Sequence, residues 1–104
     1  MTMKQFTTTE QTAKLIELGF EQPKMAAPAL KWVDGEPTFE PQYTIGELIE
    51  MLPTIVDDFT LWIGRDERSD QWFVKYSPRS LKFAEELIDT LYEMAVKLKE
   101  EGVI

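Results

Sequence analysis

The sequence predicts an α+β fold, in which a small antiparallel sheet is packed by three helices. Two capping boxes indicate where helices begin, and the last quarter of the chain carries apolar residues at helical spacing. Two runs rich in β-branched and aromatic residues, separated by a short polar segment, indicate strands. Because 104 residues are about the size of one domain, we expect a single domain over residues 1–104.

Two short helices are predicted from capping boxes, in which a Thr side chain and the Glu or Gln three residues later cap each other's backbone N–H. The first box, at Thr8, begins a helix over about residues 9–18, which Gly19 ends. The second box, at Thr44, begins a helix over about residues 45–52. Both helices are short, so their apolar sides must pack on another element.

The sheet is predicted from two hairpins. The main hairpin covers about residues 59–76, where two strands flank the polar segment 65–70, which is too short for a crossover helix. An edge hairpin is expected over about residues 29–43, because Asp34-Gly35 is a strong signal for a two-residue turn. Prolines in its returning strand cannot donate to a ladder, which restricts that strand to an edge or an extended loop.

A long helix is predicted over about residues 80–101, followed by Gly102 as its stop. Its apolar positions are Leu81, Phe83, Ala84, Leu87, Ile88, Leu91, Met94, Ala95 and Leu98. They form an arc wider than the roughly 100° that one packed face requires. We therefore expect this helix to cover the sheet and to contact either the first helix or a second copy of the chain, as in a homo-oligomer.

The chain is acidic, with 11 Lys and Arg against 19 Asp and Glu and a net charge of −8. Proteins bind phosphate backbones and anionic membranes largely through Lys and Arg, so this balance predicts neither nucleic acid nor membrane as a direct partner. The acidity is concentrated in residues 31–58, and any charged partner surface is expected there. The acidic candidates for partner binding are Asp34, Glu36, Glu40, Glu47 and Glu50.

The chain contains no Cys and no His. Thiolate nucleophiles, Ser-His-Asp catalysis and Cys- or His-based zinc sites are therefore excluded. Asp57 and Asp58 are interpreted as part of a turn rather than as ligands of a hard cation. We predict no catalytic residue, no metal site and no cofactor. No apolar run approaches the roughly 20 residues of a membrane span and no signal peptide is recognisable, so a cytoplasmic location is expected.

Two tryptophans of the main hairpin are further candidates for partner binding. Alternation places Trp62 on the opposite face of its strand from Ile63, and Trp72 on the opposite face from Phe73. Aromatic residues at strand spacing are more often core than ligand-binding residues. If helices cover one face of the sheet, however, at least one of these tryptophans is expected on the uncovered face, where it would indicate an interface.

Four segments carry a resemblance to known proteins: YTIGELIEMLP at 43–53, WFVKY at 72–76, AEELIDTLYEM at 84–94 and KLKEEGVI at 97–104. Over about residues 43–104, the chain resembles small uncharacterised proteins of intestinal anaerobic bacteria, which are often encoded on prophages or other mobile elements. The resemblance implies an accessory protein of a mobile element, and it implies no catalytic residue.

The leading hypothesis for function is a non-enzymatic interaction or structural accessory protein that binds a protein partner. An alternative is an acidic inhibitor that imitates phosphate charge and occupies the nucleic-acid site of another protein. A second alternative is a carboxylate-dependent enzyme, whose general base would be a buried Asp or Glu.

Overall fold

The computed structural model describes residues 4–23, 29–33, 35–40, 42–77 and 80–104, and within 29–33 and 36–40 it describes the backbone alone. The fold is α+β with three helices and small antiparallel sheets, so the predicted class is confirmed. The helices are α1 (Thr9–Glu17), α2 (Ile45–Met51) and α3 (Leu87–Glu100). The strands are β1 (Ala29–Val33), β2 (Glu36–Glu40), β3 (Ile55–Val56), β4 (Phe59–Thr60), β5 (Trp62–Asp66), β6 (Gln71–Tyr76) and β7 (Ser80–Ala84).

Both predicted capping boxes are present. The Thr8 hydroxyl accepts a hydrogen bond from Gln11 N at 3.1 Å, and the Gln11 side chain accepts one from Thr8 N at 3.0 Å. Thr44 and Glu47 form the same pair of bonds before α2, both at 3.1 Å. After α1, Gly19 has a φ of +100°, which L side chains rarely adopt. The first two helices are thus confirmed within a residue of their predicted ends.

The strands form three antiparallel sheets: β1 with β2, β3 with β4, and a three-stranded sheet in the order β5-β6-β7. The predicted hairpin over 29–43 is present in part as β1 and β2, in which Val33 pairs with Glu36, but it ends at Glu40 and forms a sheet of its own rather than an edge of the main sheet. The main hairpin is confirmed as β5 and β6, with a loop of four residues between Asp66 and Gln71.

The predicted first strand of the main hairpin is divided in the structure. Its beginning, Phe59–Thr60, forms β4 and pairs with β3 rather than with β6. The turn between β3 and β4 is made by Asp57 and Asp58, with φ of +50° and +69°. Positive φ at both central residues is what a type I′ turn requires, and Asp tolerates this region better than most residues.

The predicted helix over residues 80–101 is wrong in its first part, because Ser80–Ala84 forms β7 and pairs with β6. The helix begins only at Leu87, after Glu86, whose side chain makes no capping bond. Leu81 and Phe83 alternate with polar or small residues, which is the pattern of a strand. Over only five residues, the same positions also fit the apolar side of a helix. Because Leu81 and Phe83 lie on the sheet, they do not widen the apolar stripe of α3. Self-association through the last helix stays a prediction.

The core lies between the three-stranded sheet and the helices. Within the described residues, the extensive contacts of α3 are with β6, β7 and α2. The fully buried apolar side chains are Leu15, Leu48, Val74, Tyr76, Ile88, Leu91, Met94, Ala95 and Leu98, each 0% exposed. The finer prediction, three helices packed on a single sheet, is not confirmed.

The start of the described chain is held against α3. Asp89, in the first turn of α3, accepts hydrogen bonds from Lys4 Nζ at 3.0 Å and from Gln11 Nε2 at 2.8 Å. Gln11 belongs to α1, so one carboxylate joins the N-terminal segment, α1 and α3. In the part of the chain that the structure describes, no helix is long and apolar enough to cross a membrane.

Candidate functional site

The register of the three-stranded sheet places two rows of residues on the face turned away from α3. One row is Trp62, Lys75 and Leu81, and the next is Gly64, Phe73 and Phe83. Because side chains alternate along a strand, Val74 and Tyr76 point to the opposite face, and both are buried in the core. We call the six residues of the two rows the open face.

The open face exposes three large apolar side chains: Leu81 and Phe83 lie on β7, and Trp62 lies on β5, with Lys75 of β6 between Trp62 and Leu81. Trp62 is 61% exposed, Leu81 51% and Phe83 42%. The other exposed large apolar side chains of the described residues stand singly on α1, α2 and β3. Single exposed apolar residues are ordinary, whereas a contiguous group of them marks an interaction surface. The open face is therefore the best candidate for a functional site.

A glycine shapes the centre of the open face. A Cβ on Gly64 would lie 2.6 Å from Cζ of Phe73, so the Phe73 ring lies directly over the Gly64 backbone. Phe73 also meets Phe83 edge to face, with ring centroids 6.2 Å apart and an interplanar angle of 61°. The Phe73 ring therefore packs against both the Gly64 backbone and the Phe83 ring.

A broad concavity of about 650 Å³ opens above the β6 and β7 residues of the open face, and neither Trp62 nor Gly64 lines it. Its floor is Phe73, Lys75, Leu81 and Phe83. At one end it is bounded by residues 65–68 of the β5–β6 hairpin, and at the other by Ser77 and Ser80. This volume is within the range of ligand-binding sites.

The charges at the hairpin end of the concavity are mostly engaged within the hairpin. Arg65 donates to Asp70 at 2.7 Å, and its guanidinium lies 5.7 Å from the centroid of the Trp72 ring. The Asp66 carboxylate accepts hydrogen bonds from the Arg68 backbone N at 3.1 Å and from the Ser69 hydroxyl at 3.0 Å. These contacts shape the loop.

Two cations of the concavity have no carboxylate partner among the described residues: Lys75 and the guanidinium of Arg68. Lys75 is in the floor, with Nζ 5.3 Å from the centroid of the Phe73 ring. A cation held over an aromatic ring in an apolar surface remains available to an anion from outside. Glu67 lines the same end of the concavity as Arg68, so the cation that lies apart from any acidic lining residue is Lys75 in the floor.

The two predicted tryptophans lie on opposite faces of the sheet. Trp62 is on the open face, as expected for at least one of them. Trp72 is on the covered face and packs against the core, with Ala84 opposite it on β7. The structure therefore does not bring the two into one site, and only Trp62 is positioned to touch a partner.

Two of the predicted acidic candidates lie together in the structure. Glu47 and Glu50 both line a depression of about 270 Å³ beside Tyr43, which Glu21 also lines, and the Glu47 side chain caps α2 as well. Asp34 lies outside the described residues, and so do the side chains of Glu36 and Glu40, whose backbones belong to β2. A partner-binding role for these five residues stays a prediction.

The depression beside α2 is formed largely by structural residues. Tyr43 is 1% exposed, and its hydroxyl donates a hydrogen bond to the carbonyl oxygen of Glu21. Burial, with a smaller contribution from Glu47, raises the pKa of Tyr43 above its usual value of 10.0. Among the described residues, the buried polar side chains are neutral, and no group of three or more acidic side chains is arranged to hold a metal ion.

Sequence reasoning missed Leu81 and Phe83, which it assigned to the apolar stripe of the long helix. The available signal was their alternation with Lys82 and Ala84, which is the period of a strand. Comparisons with protein-family models, with curated proteins and with solved structures find no match for the chain.

Proposed function

We propose that this chain is a non-enzymatic interaction module that binds a protein partner on its open face. The observation that carries the proposal is the group of three exposed apolar side chains, Trp62, Leu81 and Phe83, on an ordered sheet surface. Aromatic anchors at the centre of a surface supply much of the binding energy in protein interfaces. An accessory role in a mobile element, implied by the resemblance of residues 43–104, stays a prediction.

The proposal is tested by affinity capture from the native host with the full chain as bait. One bait is the parent chain, and a second carries Trp62→Thr and Phe83→Thr, which keep strand-forming residues but remove the aromatic anchors. Ile55→Thr is the matched control, because Ile55 is 58% exposed and lies on β3, outside the open face.

We expect the parent and the Ile55→Thr control to retain the same bound protein, and the double variant to lose it. A partner that all three baits retain equally would show that the open face is not the binding surface. Circular dichroism and urea unfolding of the variants establish that each bait is folded before capture.

A further inference from the structure

We infer that two copies of this chain pair along the outer edge of β7, so that antiparallel pairing joins their three-stranded sheets into one sheet of six strands. The surface involved is the edge of β7 together with the adjacent side of α3. It is not the open face, although Leu81 and Phe83 lie at the border of both surfaces. The inference therefore goes beyond the proposed function and does not depend on it.

The first argument is the free backbone edge of β7. The order of the sheet is β5-β6-β7, so β7 pairs with β6 on one side only. In the part of the chain that the structure describes, no strand pairs with its other side. The N–H and C=O groups along an open edge form hydrogen bonds with another extended strand. The partner that fits this edge is therefore a β-strand.

The edge at β5 is less suited to pairing. The chain enters β5 from β4, which already pairs with β3. At the other end of β5, Arg65 and Asp66 place charges on the edge, and edge charges protect a sheet against pairing. The edge at β7 instead carries the exposed apolar side chains of Leu81 and Phe83.

The second argument is the position of α3. Within the described residues, its extensive contacts with the main sheet are with β6 and β7. The helix is thus displaced towards the edge at β7, and a depression of about 450 Å³ lies between helix and strand. Lys82 of β7 lines this depression together with Tyr92 and Val96 of α3, and all three are half-buried. A strand added at β7 would cover this depression and bury its apolar surface.

The third argument is the charge pattern of the same depression. Lys82, Glu93 and Glu100 line it, and within the described chain none of the three forms an ion pair. Burial raises the pKa of Tyr92 above its usual value of 10.0, and Glu100 and Glu93 raise it further. The potential at the Tyr92 hydroxyl is therefore negative. The depression thus favours a cation from a partner and offers carboxylates to hold it.

The β7 strand of a second copy meets the requirements of the edge. It is extended, with Leu81 and Phe83 on one face and Lys82 on the other. A two-fold axis perpendicular to the sheet pairs the two strands antiparallel and keeps equivalent faces together. A register centred on Lys82 would place two Lys side chains opposite each other, which is unfavourable. Registers centred on Leu81 or on Phe83 avoid that repulsion and pair the apolar residue with its own copy.

The α3 helix of a second copy meets the requirements of the depression. The two-fold axis makes the two helices antiparallel, so Lys82 and Lys97 of one copy can lie against carboxylates of the other. These carboxylates belong to Glu93 and Glu100, which are both exposed. Because each copy contributes both signs of charge, we expect a reversible dimer that weakens as the salt concentration rises.

The first test reverses the charges beside α3. One variant carries Glu93→Lys and Glu100→Lys, and the other carries Lys82→Glu and Lys97→Glu. Each variant presents mainly one sign of charge at the depression, so we expect its self-association in sedimentation equilibrium to be about tenfold weaker than that of the parent. Mixed one to one, the two variants should form a heterodimer that neither forms alone. This heterodimer also shows that both variants are folded.

The matched control carries Glu17→Lys and Glu50→Lys. Both residues are exposed and lie on α1 and α2, and the net charge changes by the same amount as in the Glu93→Lys and Glu100→Lys variant. The control is expected to self-associate as the parent does. A mixture of the two reversed variants that associates no more than its components, or a parent chain that stays monomeric at every concentration, overturns the inference.

The second test locates the contact on β7. The chain contains no Cys, so one introduced Cys can form a disulfide only with another copy. Residues directly opposite in an antiparallel pair have Cβ atoms about 5 Å apart. We therefore expect Leu81→Cys or Phe83→Cys to give a disulfide-linked dimer under mild oxidation. Ile55→Cys, at a 58% exposed position on β3, should react far more slowly. If neither β7 position reacts faster than residue 55, the edge at β7 is not the contact and the inference is overturned.

Failure of this inference is distinguishable from failure of the proposed function. Trp62 lies on β5, at the opposite edge of the sheet, so Trp62→Thr should leave self-association unchanged while it weakens capture of a host protein. If the reversed variants do not complement each other but capture depends on Trp62, only the inference is overturned. If they complement each other and capture does not depend on Trp62 and Phe83, only the proposed function falls.

Discussion

The two faces of the three-stranded sheet are built from the same strands but have opposite surroundings. On the covered face, Val74 and Tyr76 are fully buried beneath the helices, whereas on the open face Trp62 is 61% and Phe83 42% exposed. Because side chains alternate, neighbouring residues of one strand contribute to different properties of the molecule. The covered face should therefore determine stability, and the open face should tolerate substitution without loss of the fold.

The largest expected difference is between two leucines given the same substitution. Leu91 on α3 is 0% exposed, whereas Leu81 on the open face is 51% exposed. Leu91→Ala removes buried methyl groups and leaves a cavity, so we expect a loss of about 2–5 kcal/mol in the free energy of unfolding. Leu81→Ala should cost less than about 1 kcal/mol, because much of that side chain already contacts water.

Urea unfolding followed by circular dichroism measures both effects. The m-value should be unchanged for Leu81→Ala if that variant keeps the parent fold. Equal losses from the two substitutions would mean that Leu81 is buried in solution, and the distinction between a covered and an open face would then be wrong.

The next largest expected effect is a dependence of stability on pH, which we assign to Tyr76 on the covered face. The Tyr76 hydroxyl donates to the Pro53 carbonyl oxygen at 2.6 Å, and burial raises its pKa from 10.0 to about 12. The unfolded chain loses this proton near pH 10, while the folded chain keeps it until about pH 12. Stability from this group is thus fully present below pH 10 and is lost as the pH rises towards 12, by at most about 3 kcal/mol.

Tyr76→Phe is the control for this pH dependence. The variant is expected to be less stable than the parent at neutral pH, because the hydrogen bond to Pro53 is lost. Its disadvantage should shrink between pH 10 and pH 12, since the variant has no phenol to ionise there. Parallel stability curves for the two proteins over that interval would assign the alkaline loss to other groups.

The helices that sequence reasoning located correctly are those with a local signal. Thr8 and Thr44 each form a capping box, and these boxes place the starts of α1 and α2. The start of α3 has no such signal, because Glu86 makes no side-chain capping bond. The apolar stripe continues back through residues 80–84, which form a strand because β6 pairs with them.

The candidate site was predicted in part for the same reason. Alternation within one strand correctly separated Trp62 from Ile63 and Trp72 from Phe73, because it depends on neighbouring residues alone. Which face is covered depends on where α3 packs, a tertiary fact that a single sequence does not express. The pairing of Phe73 with Phe83 joins two strands, so a prediction that places Phe83 on a helix does not contain it.

The smallest expected difference is between two aspartates, one at each face. Asp89 accepts from Lys4 and Gln11 and has a side chain 30% exposed, so Asp89→Asn should cost about 1 kcal/mol. Asp70 pairs with Arg65 at the rim of the open face, but its side chain is 83% exposed, so Asp70→Asn should cost at most about 0.5 kcal/mol.

Asn suits both positions for this comparison, because it removes only the charge and also tolerates the φ of +57° that Asp70 adopts. The free energy of unfolding of each variant is measured in urea at low and at high salt. The comparison shows how much each carboxylate charge contributes to stability. If Asp70→Asn costs as much as Asp89→Asn, the rim charges are needed to hold the hairpin. If its cost is negligible, the fold does not require the Arg65–Asp70 pair, because water screens an ion pair this exposed.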